Sequence, residues 1–166
     1  MQLGQLPMSA GASNVGLFSK IREEHARILD KIDELVGSSP EVRHEKVNDL
    51  LLQIMAHMDA EERTIYKTFE DLESETRMIA VQNEEEHQVT RYLVSGLKAT
   101  GVTEEHWWAR LRVLRNVFKN HIEFEERVMF DQALDYFTQE EIDKMAMRFD
   151  RVETELFEKS RIDLLG

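Results

Sequence analysis

Apolar residues recur every three to four positions along almost the whole of this chain, and the alternation of a half-buried strand is hard to find. That period puts one apolar stripe on each of several long helices, so the chain has to bury helix against helix. The first stripe, Leu17, Ile21, Ile28, Ile32 and Leu35, predicts a helix from about Val15 to Val36. Gly37-Ser38-Ser39-Pro40 ends it, with Ser39 as N-cap of the next helix and Pro40 in its first position. The second helix carries Val47, Leu50, Leu51, Ile54, Met58, Ile65 and Phe69 and fades near Leu72. A third begins around Ser74, carries Ile79, Ala80, Val94 and Leu97, and runs to Gly101. Thr103 is expected to cap a fourth, through Leu111, Leu114, Val117, Phe118, Val128 and Met129. Thr138-Gln139-Glu140-Glu141 has the pattern of a capping box and starts a fifth helix, to about Ser160.

Short turns between long amphipathic helices favour an all-α, up-down-up-down four-helix bundle over about residues 15–131. The additional C-terminal helix, about 138–160, would pack on the outside or end of that bundle through Ile142, Met145, Phe149, Val152 and Leu156. No linker divides residues 14–166, which read as a single domain, and residues 1–13 read as a flexible tail.

Charge and composition then remove whole classes of function. A formal net charge of −12 argues against a nucleic-acid partner and against an anionic membrane surface, both of which need a basic face. No apolar run approaches the roughly 20 residues that span a bilayer. The N-terminal stretch has neither a positive start nor a long apolar segment, so a cytoplasmic location is expected. The chain has no cysteine, which excludes disulfides, thiolate zinc sites and iron–sulfur ligation.

The histidines carry the functional signal. In an antiparallel helix pair, residues at one height lie equally far from the turn between them, since both helices rise about 1.5 Å per residue. Position 41, midway between His25 and His57, adjoins the Gly37–Pro40 turn; position 72, midway between His57 and His87, is the second turn. Position 104, midway between His87 and His121, adjoins the Gly101–Thr103 turn. One histidine from each of the four bundle helices therefore lies at one level. All four also share the apolar stripe of their helix: His25 lies between Ile21 and Ile28, His57 after Ile54, His87 between Ala80 and Val94, and His121 after Phe118. His44 and His106 lie among charged neighbours and read as exposed.

Glu61 follows His57 by four residues and Glu125 follows His121 by four, so each pair shares a helix face. The second and fourth helices are parallel, so both carboxylates shift the same way along the axis and converge between the histidines. Two buried carboxylates without partners would be costly and would repel each other. Metal cations remove both difficulties, and imidazole and carboxylate ligands without thiolate suit iron, with manganese or zinc also possible.

This pattern, His25, then His57-Met58-Asp59-Ala60-Glu61, then His87, then His121-Ile122-Glu123-Phe124-Glu125, resembles the hemerythrin-like (HHE cation-binding) domain family in its bacterial single-domain type. The resemblance covers roughly Val15 to Phe130. It implies a non-haem di-iron centre with an oxo or hydroxo bridge, His25, His57, His87 and His121 as terminal ligands, and Glu61 and Glu125 as bridging carboxylates. It implies binding or sensing of dioxygen, nitric oxide or peroxide at open positions on the metals. The chain departs from oxygen-carrying members in two places. Arg91 stands where they have a second histidine one turn along the third helix, and their last helix has an aspartate one position farther out than Glu125. Members that repair iron–sulfur centres carry a cysteine-bearing extension, and this chain has no cysteine. An enzyme that detoxifies peroxide or nitric oxide, and an iron-responsive structural protein, are the competing readings.

Several neighbours of the six are expected to stand aside. Glu24, Glu62 and Glu126 adjoin site residues but are turned away by about 100° per residue. Tyr66 is expected to lie too far along the axis to reach the metals. Arg91 should point outward, and Glu84 should belong to a solvated run, Asn83-Glu84-Glu85-Glu86. Trp107 and Trp108 read as core and interface aromatics, and the methionines as packing.

Overall fold

The computed structural model describes residues 15–72 and 75–165, and among these there is helix and turn but no strand. Five long helices follow one another. The first, α1, spans Val15–Val36. The second, α2, is α-helical over Pro40–Glu61, passes through a π-helical turn at Glu62–Tyr66 and finishes with Lys67–Glu70. The third, α3, spans Glu75–Ala99. The fourth, α4, runs Glu105–Phe124, then a π-helical turn Glu125–Met129, then Phe130–Tyr136. The fifth, α5, spans Gln139–Leu165, continuing past Ser160. The expected tail at 1–13 and the start of the third helix at Ser74 lie outside the described residues.

Neighbouring helices pack in the order α1, α2, α3, α4 and back to α1, while α5 lies outside against α2 and α1. This is the expected antiparallel bundle with an added helix. Its ends are tied by side chains. The carbonyls left open at the end of α1 are taken by Arg43 Nε of α2 on Leu35 at 3.2 Å, and by Trp108 Nε1 of α4 on Val36 at 3.2 Å. Ser39 occupies the N-cap of α2 with extended backbone, but its hydroxyl makes no capping bond, so Pro40 does the starting. The N-cap of α4 is Glu104 rather than Thr103. Its carboxylate turns back to accept the Gly101 N–H at 2.9 Å, which closes the turn one residue later than expected. The capping box of α5 forms: Thr138 N–H donates to Glu141 at 2.8 Å and Glu141 N–H to the Thr138 hydroxyl at 3.4 Å.

The buried apolar residues divide into two clusters. One holds Ile28, Ile32, Ile54, Met58, Leu93, Leu111, Leu114, Phe118 and Ile122; the other holds Phe18, Ile21, Ile65, Phe69, Ala80, Met129, Phe130, Met145 and Phe149. Each bundle helix crosses from one cluster to the other at the level of its site residues: α1 at His25, α2 between His57 and Glu61, α3 at His87, α4 between His121 and Glu125. Each fully buried aliphatic or aromatic side chain contributes about 1.5–3 kcal/mol. The bundle is thus held from both sides of a buried polar layer.

Candidate metal centre

The polar layer is where the sequence places it. His25, His57, Glu61, His87, His121 and Glu125 are all 2% exposed or less. His25, His57 and Glu61 offer ligand atoms that lie within 4.8 Å of one another, and so do Glu61, His87 and His121. Glu61 belongs to both triads: its Oε1 lies 3.1 Å from His57 Nε2 and its Oε2 lies 3.4 Å from His87 Nε2. Glu125 belongs to neither, standing 3.3 Å from His25 Nε2 and 3.9 Å from His121 Nε2. His44 and His106 are exposed, as expected.

All four imidazoles turn Nε2 inward, and the cause lies on their other nitrogen. Each Nδ1 meets a carboxylate from a neighbouring helix: His57 meets Glu24 at 3.0 Å, His87 meets Glu62 at 2.8 Å, His121 meets Glu86 at 3.0 Å and His25 meets Glu126 at 2.8 Å. An Nδ1–H donated to a carboxylate fixes the tautomer and leaves the Nε2 lone pair for a metal. Glu24, Glu62 and Glu126 therefore do not stand aside. They are turned from their own helix's site face, as the 100° step requires, but that step aims them at the next helix's histidine. Glu86, expected in a solvated run, has the same role. The available sequence signal was a glutamate beside one site residue on every helix.

Tyr66 also departs from expectation. Its hydroxyl donates to Glu125 Oε1 at 2.8 Å, lies 3.5 Å from Glu61 Oε2 and lies 3.2 Å from His87 Nε2. An α-helix stacks residues four apart, whereas a π turn stacks residues five apart. The turn at Glu62–Tyr66 thereby returns Tyr66 to the face of Glu61. Thr64 supports the turn by donating its hydroxyl to the Ala60 carbonyl at 2.5 Å. Arg91 does point away from the layer, but onto α2 rather than into solvent. Its guanidinium grips both oxygens of Glu62, at 2.8 and 2.9 Å, and reaches Asp59 at 2.6 Å. Asn83 is fully buried, with Nδ2 3.4 Å from Met129 Sδ, so the run it begins is not solvated throughout. Partial burial, then the neighbouring Glu70 carboxyl, push the pKa of Glu84 up. Trp107 is core, and Trp108 is half-buried between α1 and α4.

Carboxylates and imidazoles in the layer hold one another's charge against burial. Burial opposes charge on His57, but Glu61 and Glu24 outweigh it and raise its pKa to about 9. Burial is likewise overcome at His25, which Glu125, Glu126 and Glu61 hold well above the ordinary range. Glu61 resists the upward push of burial because His57, His25 and His87 hold it well below the usual carboxylate range. Tyr66 is pushed well above its ordinary value by burial, then by Glu125 and Glu61.

His25 Nε2, His57 Nε2, Glu61 Oε1 and Glu125 Oε2 are buried and make no aligned hydrogen bond. Leaving one such group unsatisfied costs about 1–3 kcal/mol. Four of them facing one space, with only nitrogen and oxygen donors, fit a divalent or trivalent metal and explain why the layer is tolerated.

Residues 17–133 match the family model described as Hemerythrin HHE cation binding domain. The chain belongs to this family. Among solved structures, the HHE domain is similar to the crystal structure of a hemerythrin HHE cation binding domain-containing protein from Mycobacterium kansasii. The TM-score is 0.69 at 20% identity, covering 89% of this chain and 93% of the other. At that identity the likeness speaks for the fold. No curated protein sequence matches the chain. Among the described residues of the HHE domain no helix is long and apolar enough to cross a membrane.

Proposed function

We propose that this HHE domain holds two iron ions in the polar layer and binds or senses dioxygen, nitric oxide or peroxide there. His25 and His57 would hold one ion, His87 and His121 the other, with Glu61 and Glu125 between them. The observation that carries this reading is Glu61, whose two oxygens face different histidine pairs. A carboxylate so placed serves two cations better than one. When bound, the metals would supply redox chemistry and open coordination positions. The protein's part is to hold the imidazoles oriented, keep bulk water out of the layer and present the Tyr66 hydroxyl beside Glu125. A cytoplasmic location belongs to the same reading.

Tyr66 also favours a second reading, a di-iron enzyme acting on peroxide or nitric oxide. Reduction of either consumes protons, and a phenol in contact with the layer is a proton-bearing group.

Elemental analysis of protein purified without chelator, paired with its optical spectrum, tests the proposal. About two iron ions per chain are expected. Manganese or zinc in their place would correct the metal. Less than about one metal per chain, unchanged by His57→Ala, would overturn the site.

A further inference from the structure

The four carboxylates on the Nδ1 atoms close on one another in a fixed order. Glu24 of α1 holds His57 of α2, Glu62 of α2 holds His87 of α3, Glu86 of α3 holds His121 of α4, and Glu126 of α4 holds His25 of α1. On α1 and α3 the carboxylate comes one residue before the histidine; on α2 and α4 it comes one residue after the glutamate of the layer. The alternation follows from helix direction. A step back along an up helix and a step forward along a down helix turn the same way about the bundle axis, by about 100°. Every helix therefore points a carboxylate at its neighbour in the same rotational sense.

Resting on the metal-binding reading above, we propose that Glu24, Glu62, Glu86 and Glu126 form a closed ring of positioning residues that locks the four imidazoles inward and, through its negative charge, holds the bound metals toward their higher oxidation state. A carboxylate on Nδ1–H makes the imidazole a more basic ligand. Added negative charge around a metal centre lowers its reduction potential, since the oxidised form carries the greater positive charge. The charge is not offset equally around the ring. Arg91 binds both oxygens of Glu62, Lys20 lies 3.6 Å from Glu24 and Arg22 lies 3.7 Å from Glu126. Glu86, among the described residues, takes only the neutral amide of Gln82, at 3.1 Å. Its charge falls on His121 with the least compensation. Arg91, in place of a second histidine, acts in the ring by fixing Glu62.

The test uses Glu86→Gln and Glu62→Gln in the full chain, with Glu85→Gln and Glu23→Gln as exposed controls that make the same charge change outside the ring. Glutamine keeps an oxygen to accept the Nδ1–H bond and removes only the charge. Both ring positions are partly exposed, at 30% and 22%, so neither change empties the core. Circular dichroism of the metal-free variants checks the fold. Iron(II) and zinc(II) affinities are read by chelator competition, and the reduction potential of the iron-loaded centre by optical titration. Each ring variant should lose roughly ten- to a hundredfold in affinity. Each should also raise the potential, Glu86→Gln more than Glu62→Gln, while the controls stay near wild type. Ring variants with wild-type affinity and potential, or controls that shift as far, would overturn the ring and leave the metal site standing. A wild-type chain that takes up neither metal overturns both.

Discussion

The Tyr66 hydroxyl donates a 2.8 Å hydrogen bond to Glu125, joining the last residue of one π-helical turn to the first residue of the other across the bundle. Each π turn begins immediately at or after a glutamate of the layer. π turns cost hydrogen-bond geometry and tend to persist where a site needs them. Here one of them returns a phenol to the buried carboxylates. Tyr66→Phe should therefore destabilise the metal-free protein by about 1.5–3 kcal/mol, the range for a hydrogen bond to a charged group. The metal-loaded protein should lose less, because a cation then compensates Glu125. Urea unfolding of both forms checks this, and an equal loss in both would contradict it.

Glu61 and His57 should differ in what their removal does. Glu61 belongs to both triads, whereas His57 belongs to one. Glu61→Ala should bring metal content below about one ion per chain, while His57→Ala should leave about one. Elemental analysis after dialysis separates the cases, and identical losses would argue against a shared carboxylate.

The metal-free protein should lose stability as pH rises from 6.5 to about 9. The folded pKa of His57 is raised by Glu61 and Glu24 against the effect of burial. Its stabilising charge is therefore complete below 6.5 and gone once pH has passed about 9. Glu61, held low, stays ionised throughout this window and adds no opposing trend. Metal binding must displace the His57 proton, so metal affinity should climb over the same interval. Unfolding midpoints of the metal-free chain that increase with pH here would refute the sign.

Phe118 lies at the floor of the layer, with ring centroids 6.2 Å from His25 and 6.4 Å from His57, both edge-on. Being fully buried, its truncation to alanine should cost about 3–5 kcal/mol and loosen metal binding together with the core. Removing metal from the wild type should instead leave helical content intact. The two apolar clusters pack above and below the layer without it. Circular dichroism with and without chelator distinguishes these, and collapse of the metal-free wild type would favour an iron-responsive structural role.

Local spacing made much of this legible. Helix period and turn residues are properties of short segments, so the five helices and the Thr138–Glu141 cap could be read directly. The common height of His25, His57, His87 and His121 needed only the rise per residue and the turn positions. Thr103 does not cap α4 because the carboxylate of Glu104 takes the same turn, and single-residue differences at helix starts depend on such contacts.

The amino-acid sequence by itself determined the bundle, the buried layer and the six residues in it, because all three follow from helical repeats and the positions of the turns between them. Tertiary structure alone decided how Tyr66 and the outer carboxylates are used. The π turn that brings Tyr66 back to Glu61 adds one residue to a helical repeat, which no regular period announces. Whether Glu24, Glu62, Glu86 and Glu126 face solvent or a histidine depends on the rotation of each helix against its neighbour. That rotation is set by packing between helices, so a glutamate turned away from its own helix's site residue is turned toward the next one.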